Sequence, residues 1–181
     1  MDTKLTGKTR IESDLIGARE IPAEALYGVQ TLRGIENFSI SKFRLSEYPL
    51  FIKGLAITKM AAAMANFELG LLTVEQKDAI IAACGEIIDG KHHDQFPVDM
   101  IQGGAGTTTN MNANEVIANR ALELMGHERG EYQYCSPNDH VNCSQSTNDA
   151  YPTAIHIGMY FKHLQLLPHL EELIASFRKK G

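Results

Sequence analysis

Two short polar segments carry the residues best suited to chemistry. Gly103-Gly104-Ala105-Gly106-Thr107-Thr108-Thr109-Asn110 and Ser144-Gln145-Ser146-Thr147-Asn148-Asp149 each precede a helix-like stretch and gather neutral hydrogen-bond donors at its start. The first four N–H groups of an α-helix have no partner within it, and the aligned peptide dipoles place about half a positive charge there, so an anion is held without arginine. A pair of such ends predicts a ligand with two anionic groups. Each segment also has a plainer reading. Ser, Thr, Asn and Asp are the preferred caps of any helix, and glycines among threonines describe a flexible loop. Neither segment holds the lysine of a phosphate-binding loop, and no G-x-G-x-x-G occurs, so a nucleotide is not the expected ligand.

Asparagine recurs at 110, 112, 114 and 119 in the following helical stretch, each at a propensity cost of about 0.5 kcal/mol relative to alanine. A solvated helix face favours Lys and Glu, so this neutral set predicts a buried, hydrogen-bonded network beside a site. His92-His93-Asp94 is read as solvated, because adjacent histidines point apart and no third ligand follows at metal spacing. No metal site is expected.

The elements that position these segments are mostly helical. Residues 10 to 48 carry Gly17, Pro22, Gly28 and Gly34 among short apolar stretches, which predicts an irregular arm with brief strands or turns. From Leu50 to Leu69 the apolar positions recur at three-and-four spacing and end at Gly70. Thr73 with Gln76 resembles a capping box, opening a helix that stops at Gly90. A third helix is expected from about Met111 to Met125, with Gly126 as its cap. The fourth starts near Thr147 and runs to the end, with Pro152 in its first turn and a kink or break at Pro168. Its stripe of Leu166, Leu170, Leu173, Ile174 and Phe177 needs cover, which predicts self-association or packing against more of the protein.

At 181 residues and 44% hydrophobic content the chain can bury a sizeable core. A net charge of −5, with no basic cluster before Arg178-Lys179-Lys180, argues against a nucleic acid partner. The polar start from Met1 to Gly7, and the lack of an apolar run near the roughly 20 residues a membrane span needs, point to a cytoplasmic protein with no membrane partner. Cys84, Cys135 and Cys143 form an odd set without C-x-x-C spacing, so reduced thiols are expected.

The run from Gly104 to Asn119, followed by Ser136-Pro137-Asn138-Asp139-His140-Val141-Asn142 and Gln145 to Asp149, closely resembles the aspartase/fumarase superfamily. The likeness extends to Arg10 through Gly17, Tyr27 through Arg33 and Glu36 through Ile40, and so spans almost the whole chain. Gln145-Ser146-Thr147, Gly104-Ala105-Gly106, the stretch from Glu123 to Gln133, and Ser136 before Pro137 are closer to the aspartase branch than to class II fumarases.

This resemblance implies an all-α subunit with a short irregular or β amino-terminal arm, built around a central bundle of long helices. Residues 1–145 would form the amino-terminal domain and 146–181 the first, truncated helix of the bundle. Four subunits would assemble into a homotetramer whose sites combine segments of three subunits. The implied reaction is reversible elimination of ammonia from L-aspartate to give fumarate, with no cofactor. Thr107, Ser146 and Thr147 match family positions that hold the β-carboxylate, and Asn148 matches one near the amino group. Thr108, Asn110, Asn112, Asn114 and Arg33 are expected in supporting roles. The family's base serine belongs to a loop absent from this sequence, so no catalytic residue is expected here and the isolated chain should be inactive. A class II fumarase fragment, and a non-catalytic helical module for anion binding or interaction, are the alternatives.

Overall fold

The computed structural model describes residues 7–181, so the polar start up to Thr6 lies outside the described residues. Strands β1 (Thr9–Asp14) and β2 (Gly17–Pro22) form an antiparallel hairpin in which Thr9 faces Pro22 and Asp14 faces Gly17. Asp14 Oδ1 closes the turn by accepting from the N–H groups of Ile16 and Gly17 at 2.9 and 3.1 Å. Brief strands were expected in this arm; the helix that follows, α1 (Val29–Asn37), was not. Nine residues with Gly34 among them give little periodic signal. Its first turn is instead completed from elsewhere in the chain. Glu115 accepts from the N–H groups of Gly28, Gln30 and Thr31 at 2.8, 2.8 and 3.0 Å, and Glu12 accepts from Val29 at 3.1 Å.

Four longer helices make the body: α2 (Pro49–Glu68), α3 (Val74–Ile88), α4 (Thr107–Leu124) and α5 (Thr147–Lys180). Pro49 opens α2 at a position whose N–H is unneeded. The expected capping box opens α3, with Thr73 Oγ1 accepting from the Gln76 N–H at 3.2 Å and Gln76 Oε1 from that of Thr73 at 3.1 Å. Ile52, Leu55, Ala56 and Ala63 of α2, Ile80, Ala83 and Ile87 of α3, and Val116, Ile117, Ala121 and Leu122 of α4 meet in one core. Across α2 and α5 the approach is close enough that a side chain at Gly54 would collide with the Ala154 carbonyl, and one at Gly158 would press tightly on the backbone of Leu50 and Phe51.

One helix start and two proline effects differ from the sequence expectation. Helix α4 begins at Thr107, not near Met111, because Gly106 at φ +86° turns the chain into it and the three threonines form its first turn. Pro152 is the sixth residue of α5 and lies past the first turn, so its missing N–H leaves the Asn148 carbonyl without a helical partner. Pro168 does not interrupt α5; the carbonyl that loses its partner there belongs to Leu164, on a stretch exposed to water. Helix α2 also departs from the reading that no run approaches a membrane span. Its 20 residues, at mean hydropathy 1.3, are long and apolar enough by length and composition. It packs on α3, α4 and α5, however, and buries Lys59 and Asn66, as the core helix of a folded domain does.

Candidate functional site

Helices α4 and α5 start beside each other, and buried Asn110 is the tie. Its Nδ2 donates to Thr147 Oγ1 at 3.1 Å and to Asn142 Oδ1 at 3.0 Å, joining the first turn of α4 to the first residue of α5. Tyr151, one turn further along α5, lies against Gly106. The two helix starts therefore form one polar face. Thr107, Ser146 and Asn148 are exposed on it and Thr147 is half-buried. Beside them opens a pocket of about 520 Å³, lined by Gln102, Ala105, Gly106, Asn148, Tyr151 and Pro152 among others.

Local bonding prepares the hydroxyls of α5 to donate. Ser146 caps the helix, its Oγ accepting from the Asn148 N–H at 3.2 Å while Asp149 Oδ1 accepts from the Ser146 N–H at 2.9 Å. Thr147 Oγ1 accepts from Asn110. An oxygen already serving as acceptor keeps its own O–H for another partner, so the arrangement presents two hydroxyl donors at a positive dipole end.

Beneath this face lies a residue that the sequence reading missed. Lys59 of α2 is fully buried, and its Nζ donates to Asn142 Oδ1 and Gln145 Oε1, each at 2.9 Å. Burial pulls its ammonium down to about 7, against the upward pull of the Cys84 thiol and Asp149. The signal was available: Ile52, Leu55, Ala56, Lys59 and Ala63 share one helical face, so the lysine occupies a core position.

The other expected residues divide. Asn112 and Asn114 are buried, but Asn112 Nδ2 donates to the Gln95 carbonyl at 3.0 Å and Asn114 Nδ2 to Met111 Sδ at 3.5 Å. Asn119 latches Leu26, Gly130 and Tyr132 away from the helix starts. The asparagine network is thus buried as expected yet only partly bonded, since the Oδ1 atoms of Asn110, Asn112 and Asn114 lack partners among the described residues. Thr108 packs its methyl where a side chain on Gly34 would otherwise sit, fastening α1 to α4. Arg33 is not brought to the face. It grips Asp14 at 2.8 and 2.7 Å and the Gly17 carbonyl at 2.8 Å, which holds the Asp14 carboxyl down at about 2. His92 and His93 bond Glu86 and the Ile87 carbonyl, and among the described residues no group of three or more His, Cys, Asp or Glu is placed to hold a metal ion. All three cysteines are free, and burial pushes the Cys84 and Cys135 thiols up to about 12.

Comparison with known proteins places this architecture. A family model described as lyase matches residues 17–181. The chain is 58% identical over 172 residues to an aspartate ammonia-lyase of Helicobacter pylori, covering 95% of this chain and 37% of that protein. It is 55% identical over 178 residues to the aspartate ammonia-lyase of Escherichia coli, covering 98% and 37%. Among solved structures, a fumarate lyase:delta crystallin from Brucella melitensis bound to cobalt superposes with a TM-score of 0.94 at 53% identity, over 96% of this chain and 38% of that one. A class II fumarase from Schistosoma mansoni gives 0.78 at 39% identity, over 83% and 32%. The chain spans a little over a third of the length of these curated relatives. On this match the chain belongs to the lyase family, within the aspartase/fumarase superfamily.

Proposed function

We propose that this chain is the substrate-carboxylate portion of an aspartate ammonia-lyase, in which Thr107, Ser146 and Thr147 hold the β-carboxylate of L-aspartate and Asn148 meets its amino group. The observation that supports this best is the Asn110 tie, which makes one donor face of two helix starts separated by about forty residues of sequence. The names and identities of the Helicobacter pylori and Escherichia coli relatives support the choice of substrate.

Removing a proton beside a carboxylate leaves a dianionic aci-carboxylate, so the barrier falls when donors are fixed where that charge develops; one such donor is worth about 2.7 to 4 kcal/mol in other enzymes. Neutral hydroxyl and amide donors suit the step because their bonds tighten as charge grows, whereas a contacting arginine binds ground state and transition state alike. In this reading the base serine is supplied by sequence outside these 181 residues, with residues 1–145 as the amino-terminal domain and 146–181 as the opening helix of a bundle that four subunits complete. The exposed stripe of Leu166, Leu170, Leu173, Ile174 and Phe177 fits that role. Free thiols fit a cytoplasmic setting.

Fumarate formation from L-aspartate, followed in ultraviolet absorbance, tests the reading with the full-length protein and the 181-residue chain side by side. Turnover by the former and none by the latter is the expected result. Full-length protein that leaves aspartate untouched and hydrates fumarate instead would establish the fumarase alternative.

A further inference from the structure

Lys59 is a charge without a counter-ion. Its ammonium is fully buried, its two hydrogen-bond partners are neutral side-chain oxygens, and among the described residues it forms no ion pair. Taking an ammonium out of water without an opposite charge is costly, and such a group either gives up its proton or gains a charge of opposite sign from elsewhere. The bonding leads from it to the donor face. Asn142 Oδ1, held by Lys59, also accepts from Asn110 Nδ2, and that same nitrogen reaches Thr147 Oγ1. Gln145, the second partner, sits immediately before Ser146 and is braced through Nε2 to the carbonyls of Val141 and Cys143 at 2.9 and 3.1 Å. Between the two partners Ser144 is held at φ +57°, so the loop is a bent segment wrapped on the lysine.

We propose that Lys59 is a positioning residue for the carboxylate cradle: its ammonium fixes Asn142 and Gln145 under Thr147 and Ser146, and the bound dicarboxylate completes its charge. This rests on the reading of the cradle given above. No group on the packed elements pairs with it directly, and the one carboxylate that pulls its ammonium up, Asp149, makes no bond to it. The Cys84 thiol on α3 is held neutral by burial; Asp149 on α5 is engaged by the N–H groups of Ser146 and Ala150; α4 presents neutral Asn110; and His140 of the π-helical turn at Pro137–Val141 is bonded to Ser136 and Gln76. Burial already pulls the ammonium down to about 7, so part of the Lys59 population is neutral near and above neutral pH, and arrival of a dianion draws a proton onto it.

The test is calorimetric binding of fumarate to the full-length protein in two buffers of different ionisation enthalpy. The expected result is proton uptake on binding that is larger at pH 8 than at pH 6, with the wild-type Kd rising as the pH is raised above neutrality. K59M should lose the uptake and weaken fumarate binding at least tenfold at pH 7. K59R, whose charge does not titrate, should restore binding without restoring its pH dependence. Wild-type binding without uptake at pH 8 overturns the proposal whether or not K59M folds, and so does uptake that persists in K59M. Wild-type protein that binds no fumarate overturns the cradle itself, and the role of Lys59 with it.

Discussion

Replacing Gly106 by alanine probes the join between the two helix starts, and the structure separates its cost into two parts. At φ +86° a Cβ strains the backbone by about 1–2 kcal/mol, of which the reduced freedom of the unfolded chain returns roughly half. The second part is steric. The added carbon would fall within the Tyr151 ring, whose edge contact with Phe51 has ring centroids 5.4 Å apart, so α5 must shift or the ring must leave that contact. Overpacking of this kind costs about 1–3 kcal/mol, giving a total of about 1.5–4 kcal/mol for Gly106→Ala. Gly126 is the internal reference: it has φ +82° with nothing within 4 Å of an added Cβ, so Gly126→Ala should show the backbone part alone, about 1 kcal/mol. Urea unfolding followed by circular dichroism measures both. Against a Tyr151→Ala background the Gly106 substitution should fall to the Gly126 value, a coupling of about 1–3 kcal/mol. Equal costs for the two glycines in the wild-type background, or no coupling to Tyr151, would refute the packing account of how α4 and α5 are held together.

Asn110→Ala removes the bonds to Thr147 and Asn142 from a buried position, so a loss of about 1–3 kcal/mol in urea stability is expected together with weaker fumarate binding in calorimetry. Thr73→Ala deletes the cap of α3, far from the donor face; about 1 kcal/mol of stability should go while fumarate affinity stays unchanged. The Arg120 guanidinium and His92 hold the Glu86 carboxyl down at about 2, below its ordinary 4.5, so its contribution is full above pH 4.5 and is lost as pH falls from 4.5 through 2. The urea-stability gap between wild type and Glu86→Gln, on the order of 1 kcal/mol at this partly exposed site, should therefore close across that window; a gap that stays constant contradicts the assignment.

What the sequence made legible was whatever depends on neighbours within a few residues. The spacing of α2, the capping box at Thr73 and the cap-rich run at Ser146 are local patterns, and the structure has them where they were expected. Helix α1 escaped because its stability is tertiary: the carboxylate that completes its first turn, Glu115, lies more than eighty residues away along the chain. The start of α4 was misplaced because threonine is a poor helix former by propensity, and only the left-handed turn at Gly106 makes those threonines a first turn. The same distinction governs the site. Donor-rich helix starts can be recognised one at a time, but their adjacency depends on Asn110 meeting Thr147, and their charge on a lysine from α2 reaching a loop more than eighty residues later. Lys59 thus bears on why arginine is missing from the face. A cation behind a layer of amides lends its field to whatever anion the face holds, yet leaves the contacting positions to neutral groups that tighten as charge develops. Moving that charge forward, by an arginine at position 147, should therefore tighten binding of fumarate and slow turnover of aspartate in the same protein. An arginine there that improved both would mean the neutrality of the face has no catalytic purpose.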